Sequence, residues 1–568
     1  MDQGLDGDCT SVSLPGAVKR LRQQQVTLLW LLPILFLGVF FFLPLGAVFR
    51  LAGEMALERG LVLDWLEVWR PLRFTFWQAG LSTVLTLTFG LPAAYIIGRF
   101  TFPGKAWVRI MTTLPFILPT VVVAASFNAL LGPRGWLNAL LMHWLALPSA
   151  PIQFTNSLGA ILLAHIFYNT TVVIWVVGAA WSQLDLRLEQ AGRILGASAG
   201  RTLWEVTFPL LRKPILGAAL LVFLFDFTSF GVILLLGGPY FATLEVAIYI
   251  QAMQMLNMPL AGLLSAIQLL CTLLVTGIHN RLSGHREAIP LAPRLKGEGV
   301  RRPRTRGEIL FIGLVLLLLL ALLVLPLLAL ISRSFTNIET GFWTLDYYRE
   351  LFINRRQSLF YVPPVLALRN SLVYAGVTVI ISLALGMLAA IALNRRALAN
   401  RWLDALLMLP LGSSAVTLGL GFLVVFNRPP LDVRSFPWLV PIAHSLVALP
   451  FVVRTLHPAL ASIPQRLRQA AMVLGASPGR AWREVDFPII ARAALVAAIF
   501  SFAISLGEFG ATSFLARPEY PTLPVAIFRF LSQPGELNYG QALAMATLLM
   551  TVCTASIVVL EQINKIQE

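Results

Sequence analysis

One stretch of this sequence occurs twice. Residues 189–209 read EQAGRILGASAGRTLWEVTFP, and residues 468–488 read RQAAMVLGASPGRAWREVDFP. The two stretches align without a gap at an offset of 279 residues, and at the same offset His165 matches His444. An internal repeat on this scale decides the architecture of a chain. The sequence therefore predicts a tandem duplication.

The composition is that of an integral membrane protein. Of the 568 residues, 57% are hydrophobic and 12% are charged, and the mean hydropathy is +0.78. A soluble globular protein carries about 25% charged residues, so this chain cannot cover a water-facing surface of its size. The net charge of +16 indicates basic cytoplasmic loops rather than a nucleic-acid partner, because such loops are a regular property of membrane proteins.

Twelve apolar runs are long enough to cross a bilayer as helices, which takes about 20 residues each. They lie near 26–49, 77–98, 110–131, 158–180, 215–236, 260–279, 309–331, 371–392, 403–426, 437–456, 492–515 and 541–560. Only helices satisfy their own backbone groups in lipid segment by segment. The predicted class is an all-α integral membrane protein with twelve transmembrane helices in two six-helix halves. An even number of spans per half makes the repeat parallel.

The repeat divides the chain into four parts. We expect a cytoplasmic tail at 1–25, six-helix domains at 26–279 and 309–568, and a basic linker at 280–308. With a cytoplasmic amino terminus, about two-thirds of the 43 Lys and Arg residues fall on the inner side, which supports cytoplasmic positions for both termini. The linker is the most basic stretch, and we expect it to act as a hinge between the halves.

Each copy of the repeated stretch is predicted to fold as a helix-Gly-helix elbow. Apolar residues recur at helical spacing before Gly196, and the glycine ends that helix. Ser198 and Ser477 stand where an N-cap would begin a second short helix, and Pro478 takes the favoured first helical position in the second copy. A single amphipathic elbow could lie on the lipid surface, whereas two matched elbows suit a partner with two equivalent sockets.

These loops resemble the EAA loops of permease subunits of binding-protein-dependent ABC importers. The family pattern is Glu-Ala-Ala, a Gly a few residues on, and a hydrophobic residue followed by Pro. The resemblance covers nearly the whole chain, because two permease domains fused in one polypeptide are typical of the iron(III) and thiamine branch. It implies a path for a small solute in the inner membrane of a prokaryote, with two cytoplasmic ABC ATPase subunits and an extracytoplasmic solute-binding protein as partners.

In this family the loop docks in a cleft of the ATPase subunit. The resemblance therefore puts eight residues at that contact: Glu189, Gln190, Ala191, Gly196, Gln469, Ala470, Ala471 and Gly475. The sequence departs from the pattern at Gln190 and Gln469, which stand where the motif has Glu. The segment 236–249 is similar to thiamine permeases, but the substrate stays open between iron(III), thiamine and another small solute.

Four polar residues within the predicted spans form a second candidate site. A charge near mid-bilayer costs at least about 2.5 kcal/mol, so Asp226 and Glu508 are candidates for function. Their equivalents at the offset of 279 are Ser505 and Ser229, and a spacing of three puts each pair on one helix face. These faces could meet across the pseudo-twofold axis and line the solute path or its gate. Alternatively, the buried carboxyl groups form hydrogen bonds that hold neighbouring helices together.

The remaining polar residues predict no cofactor, metal site or catalytic centre. His165 and His444 are related by the repeat, but no third metal ligand lies near them in the sequence, and hydrogen bonding is the expected role. Cys9, Cys271 and Cys553 lack the spacing of a metal site or a disulfide set. The chain also has no phosphate-binding loop of the G-x-x-x-x-G-K-[ST] type, so ATP hydrolysis is expected in separate subunits.

A self-sufficient secondary transporter with six plus six helices is the alternative. It fits the number of spans and the parallel repeat equally well. It would not require the two matched elbows, and the charged loop signature expected after its second span is absent from residues 99–109. The elbows therefore favour the importer subunit.

Overall fold

The computed structural model describes residues 29–59, 64–238, 240–283, 300–337, 340–353, 363–394, 400–427, 432 and 436–565. The predicted tail at 1–25 and most of the predicted linker lie outside these residues. Nine described helices are long and apolar enough to cross a membrane, and two bent helix pairs bring the number to eleven. The twelfth predicted position holds the helix Glu536–Lys565. Within the described ranges the fold is thus all-helical, as predicted.

The helices of the first half follow the predicted order. They are α1 Leu29–Met55, α2 Trp65–Arg99, α3 Lys105–Ile117, α4 Thr120–Leu131, α5 Trp136–Leu145, α6 Leu158–Ser182, α7 Leu186–Ile194, α8 Gly200–Phe227, α9 Gly231–Leu236, α10 Leu244–Tyr249 and α11 Met258–Ser283. Leu203–Thr207 forms one π-helical turn within α8.

The second half repeats this order, except that the short helix Asp346–Arg349 is added after its first helix and no described helix corresponds to α5. Its helices are α12 Arg306–Ser334, α13 Asp346–Arg349, α14 Pro364–Leu393, α15 Asn400–Gly412, α16 Ala415–Val425, α17 Leu439–Ala461, α18 Gln465–Val473, α19 Pro478–Gly507, α20 Gly510–Leu515, α21 Leu523–Leu531 and α22 Glu536–Lys565. A π-helical turn at Trp482–Asp486 lies within α19, so even this irregularity recurs.

Four of the predicted spans are not continuous helices. The third bends by 111° between α3 and α4, and the ninth bends by 95° between α15 and α16. At the first bend Pro119 has an extended backbone and no N–H to continue the hydrogen-bond ladder; Ser414 is extended at the second and caps α16 with its hydroxyl. The fifth and eleventh spans break after Phe227 and Gly507.

Each half is built around one closely packed helix pair. In the first half α2 packs on α6, and in the second α14 packs on α17. A Cβ atom added to Gly90 would lie 2.8 Å from the Cβ of Val173, and one added to Gly386 would lie 2.5 Å from a methyl of Val452. Small residues allow such close approach between membrane helices, and both halves have a glycine opposite a valine at this contact.

The first helix of each half packs against the opposite half. Helix α1 contacts α16, where a Cβ atom on Gly421 would come within 2.8 Å of Pro44. In the same way α12 contacts α4. Because each half contributes a helix to the other, the two repeats form one interlocked core rather than two separate bundles.

The described end of the predicted linker, residues 300–308, contacts the end of α2. The backbone N–H of Arg301 donates to the Arg99 carbonyl at 2.9 Å, and the Thr101 N–H donates to the Arg301 carbonyl at 2.9 Å. The Arg301 guanidinium lies 4.7 Å from the ring centroid of Phe100 and 2.5 Å from the Glu308 carboxylate. Hydrogen bonding to Glu308 raises the pKa of Arg301. The second half is thereby tied to the end of α2.

Candidate functional site

The predicted elbows are present in both halves. Helix α7 ends before Gly196, whose φ is +89°, and α18 ends before Gly475, whose φ is +84°. These left-handed conformations favour glycine because a Cβ atom is strained there. The Ala197 N–H donates to the Gly192 carbonyl at 3.0 Å, and the Ala476 N–H donates to the Ala471 carbonyl at 2.9 Å. Both turns are Schellman-type helix ends.

The second arm of each elbow begins at the predicted serine cap. The Ser198 hydroxyl accepts the Arg201 N–H, and the Ser477 hydroxyl accepts the Arg480 N–H, each at 3.3 Å. Pro478 takes the first helical position as expected. Both arms then run through the π-helical turns into the long helices α8 and α19. Each elbow is therefore continuous with a membrane helix.

Each elbow exposes two apolar side chains at its tip. Ile194 and Leu195 are 85% and 88% exposed, and the equivalent Val473 and Leu474 are each 87% exposed. Exposed apolar patches of this kind mark contact sites. The sequence analysis did not single out these residues, although the recurrence of two apolar residues directly before Gly in both copies was an available signal.

The eight motif residues do not all face outward. Gln190, Ala191, Gly196, Gln469, Ala470 and Gly475 are exposed, while Glu189 and Ala471 are half-buried. The Glu189 carboxylate pairs with the buried guanidinium of Arg99 and accepts the Thr207 hydroxyl at 3.0 Å. At the equivalent positions of the second half, Arg468 pairs with Asp486 at 2.8 Å. Both positions thus tie an elbow to the base of the following long helix within the chain.

The first membrane cluster gathers around His165. Its Nε2 lies 2.9 Å from the Ser229 hydroxyl, and its Nδ1 lies 3.3 Å from the Asp226 carboxylate. The Asn169 amide donates to Asp226 at 2.6 Å. All of these residues belong to the first half.

The second cluster repeats this arrangement around His444. Its Nδ1 lies 2.7 Å from the Ser505 hydroxyl, and its Nε2 lies 3.2 Å from the Glu508 carboxylate. Glu508 also accepts the backbone N–H groups of Ala511 at 2.8 Å and Thr512 at 3.0 Å, and so caps α20. The hydrogen-bonding role predicted for the two histidines is confirmed.

The predicted placement of each polar pair on one helix face is wrong in both halves. Asp226 and Ser229 do not share one helix face, because α8 ends at Phe227, and Glu508 lies just beyond the end of α19. Each polar pair is instead joined through the histidine of its own half. Each carboxyl group lies at a helix break, where unpaired backbone groups and the side chain can hydrogen-bond each other.

What does meet between the two halves at these breaks is a row of aromatic rings. Phe230 and the equivalent Phe509 stack with their centroids 5.4 Å apart and their planes at 22°. Phe230 contacts Tyr249 at 5.5 Å, and Phe509 contacts Phe528, the equivalent of Tyr249, at 5.4 Å. We call Tyr249, Phe230, Phe509 and Phe528 the aromatic row. Within this row, the Phe230–Phe509 stack joins the two halves.

The chain matches one family model twice. Residues 90–286 and 382–565 match the family described as binding-protein-dependent transport system inner membrane component. The chain belongs to this family. It is a multi-pass permease subunit of a binding-protein-dependent ABC importer, with two permease domains fused in one polypeptide.

Known relatives extend over both halves of the permease. It is 27% identical over 517 residues to the thiamine transport system permease protein ThiP of Escherichia coli (strain K12), which is 88% of this chain and 91% of that protein. It is 26% identical over 540 residues to ThiP of Haemophilus influenzae, with coverages of 92% and 93%.

A solved structure also resembles part of the permease. It is a bacterial alginate ABC transporter in complex with an alginate pentasaccharide-bound periplasmic protein, at 19% identity and a TM-score of 0.40. The match covers 47% of this chain and 96% of that chain.

The permease contains a further buried carboxylate that sequence analysis missed. Glu245 is 1% exposed and accepts the Ser414 hydroxyl at 2.6 Å and the Gln268 amide at 3.0 Å. It lies in α10, which the sequence analysis treated as part of a loop between spans. The available signal was one acidic residue in the otherwise apolar run 244–248.

Proposed function

We propose that this permease carries thiamine or a closely similar solute. The support is the similarity to thiamine permeases over about nine-tenths of the chain and of the relatives. Iron(III), the other substrate class of the branch, has no comparable support, because the relatives reported above are thiamine permeases. Uptake assays with labelled thiamine and with iron(III) would separate the two.

The two elbows are proposed to dock into two cytoplasmic ATPase subunits. The observation that carries this proposal is the matched pair of exposed apolar tips, Ile194-Leu195 and Val473-Leu474, at the same place in both elbows. Apolar tips on a helix pair fit the helix-in-groove mode of recognition. Two equivalent tips require two equivalent grooves, and hence two copies of the ATPase.

Within each elbow, the motif residues divide into two proposed roles. Gln190, Ala191, Gln469 and Ala470 form the exposed docking face, together with Gly196 and Gly475 at the turns. Glu189 acts within the chain as a positioning residue, and half-buried Ala471 supports the turn. With the elbows on the cytoplasmic side, both termini are also cytoplasmic, and the solute-binding protein docks on the opposite face.

The aromatic row is proposed as the gate of the solute path. Phe230 and Phe509 lie just after the helix breaks that follow Phe227 and Gly507. The side chains proposed to stabilise these breaks are those of Asp226, Ser229, Ser505 and Glu508. The paired histidine clusters lie within hydrogen-bonding distance of these residues in each half. A shift of α8 or α19, passed on from an elbow, would separate the two rings.

The test is ATP hydrolysis in proteoliposomes by the permease co-purified with its ATPase and supplied with its binding protein. Gly196→Pro and Gly475→Pro remove a backbone donor and forbid the positive φ, so both are expected to uncouple hydrolysis from uptake. Gly200→Ala and Gly479→Ala are the controls, because an added Cβ atom meets nothing within 4 Å at either position. Transport by the permease alone down an ion gradient would contradict the proposal.

A further inference from the structure

Glu245 lies at a contact between the two halves. Its carboxylate accepts one hydrogen bond from Ser414, the N-cap of α16 in the second half, and one from Gln268 of α11 in the first. The same Gln268 amide also donates to the Phe227 carbonyl at the helix break, at 3.4 Å. The carboxylate therefore bridges the two halves at the level of the break.

Both hydrogen-bond donors of Glu245 are neutral. Among the described residues, no lysine, arginine or histidine forms an ion pair with it, and the Oε1 atom of Gln268 is buried without a hydrogen-bond partner. Burying a carboxylate without a compensating cation is costly. A cation that reached the Glu245 carboxylate would therefore be stabilised by it.

An aromatic residue follows this carboxylate by one helical turn. Tyr249 is four residues beyond Glu245, which puts both side chains on the same face of the helix. The Tyr249 ring contacts Phe230 and also Phe514 of the second half, with centroids 5.7 Å apart in the latter pair. A carboxylate combined with aromatic faces is the recognition chemistry of an organic cation.

The contact between Glu245 and Ser414 has no polar counterpart at the equivalent positions of the repeat. The equivalent of Glu245 at the offset of 279 is Pro524, and Ser414 matches Pro119 in the register near 295. The two equivalent positions in the repeat therefore both hold proline. A contact that only held the halves together could be the same at both pairs of positions. The binding of one asymmetric solute, in contrast, requires a charged residue at only one of them.

We propose that Glu245, Tyr249 and Phe230 form a binding site for an organic cation with a flat ring as it crosses the membrane. In the closed structure Ser414 satisfies the carboxylate. When the halves separate at the aromatic row, that hydrogen bond is lost, and the positive charge of the solute replaces it. This inference rests on the proposed function, since thiamine carries a cationic aromatic ring.

The test is binding to the complete permease and ATPase complex, trapped with a non-hydrolysable ATP analogue. The probes are thiamine and its neutral deaza analogue, in which carbon replaces the charged ring nitrogen. The parent is expected to prefer thiamine by at least about tenfold, since a buried charge pair exceeds the 1.4 kcal/mol that corresponds to this factor. Glu245→Gln is expected to abolish the preference, and Glu245→Asp to restore part of it.

Ser414→Ala is the matched control, because it removes the hydrogen bond and keeps the charge. It is expected to keep the preference for thiamine and to raise basal ATP hydrolysis. An unchanged preference in Glu245→Gln would overturn the inference. If Glu245→Gln does not assemble, loss of the preference in Ser414→Ala would overturn it instead. Failure of the parent to associate with any ATPase would count against the proposed function rather than against this site.

Discussion

Glu189 of the first elbow forms an ion pair with Arg99, a guanidinium that is 2% exposed at the end of α2. This contact ties the elbow to the membrane helices, and the linker strand at Arg301 hydrogen-bonds the same turn. The second elbow has its own ion pair, between Arg468, the equivalent of Glu189, and Asp486, the equivalent of Thr207. Both halves therefore hold the elbow through the same position of α7 or α18, but with opposite charges and different partners.

Removing the Glu189 carboxylate is expected to destabilise the permease. Glu189→Ala removes the carboxylate that forms an ion pair with the buried Arg99 guanidinium, which we expect to cost about 2 kcal/mol. The measurement is the midpoint of thermal unfolding in detergent. Glu205→Ala is the control, since its ion pair with Arg201 is exposed and such pairs contribute little. Equal midpoints for the two variants would contradict the role of this tie.

The elbow tips are expected to supply much of the ATPase binding energy. Leu195→Asp and Leu474→Asp place a charge on a face that would be desolvated in the complex. Each substitution should weaken co-purification of the ATPase by about tenfold or more, as central interface residues do. Leu145→Asp is the control, because Leu145 is also exposed but lies in α5, away from the elbows. Unchanged association would exclude the tips from the contact.

Shortening the aromatic row is expected to open the solute path. The double substitution Phe230→Ala and Phe509→Ala removes both stacked rings and leaves a gap between the halves. Passive flux of a small solute through ATPase-free proteoliposomes should rise several-fold. Phe36→Ala is the control, because this ring pairs with Phe40 within α1. Flux at the parent level would show that another layer closes the path.

The close helix pair in each half is expected to reject any larger side chain. Gly90→Ala and Gly386→Ala place a Cβ atom within 2.8 Å and 2.5 Å of Val173 and Val452, and overpacking of this kind costs about 1–3 kcal/mol. Gly80→Ala and Gly376→Ala lie in the same helices with nothing within 4 Å. They should be neutral or slightly stabilising. Thermal unfolding in detergent distinguishes the two sets.

The buried carboxylates Asp226 and Glu508 are expected to respond differently to neutralisation. Glu508→Gln leaves only one acceptor oxygen for the two N–H groups at the start of α20, and so should lower stability by about 1–3 kcal/mol. Asp226→Asn loses a smaller set of hydrogen bonds, and we expect assembly to be retained. Thermal unfolding and solute uptake, measured together, separate the two roles: a stable variant without uptake indicates the path, and an unstable one indicates a lock.

The elbows could be predicted closely from the sequence because their signals are local. A glycine after an amphipathic run and a serine or Ser-Pro cap specify a turn wherever the chain lies. The same holds for the positions of the spans, since hydrocarbon thickness sets their length. Breaks within spans were harder to predict. In the sequence, Asp226 and Glu508 are single polar residues within apolar runs long enough for a continuous helix, and only the backbone shows that the helix ends beside them.

The sequence by itself thus determined the duplication, the membrane class, the family resemblance and the elbow geometry, all of which depend on neighbouring residues or on a repeat. Only the tertiary structure decided which side chains meet between the halves. Phe230 stacks on Phe509, and Ser414 donates to Glu245, across sequence separations of 279 and 169 residues. Contacts of this kind depend on how the two interlocked halves pack, and no local pattern in the sequence records that packing.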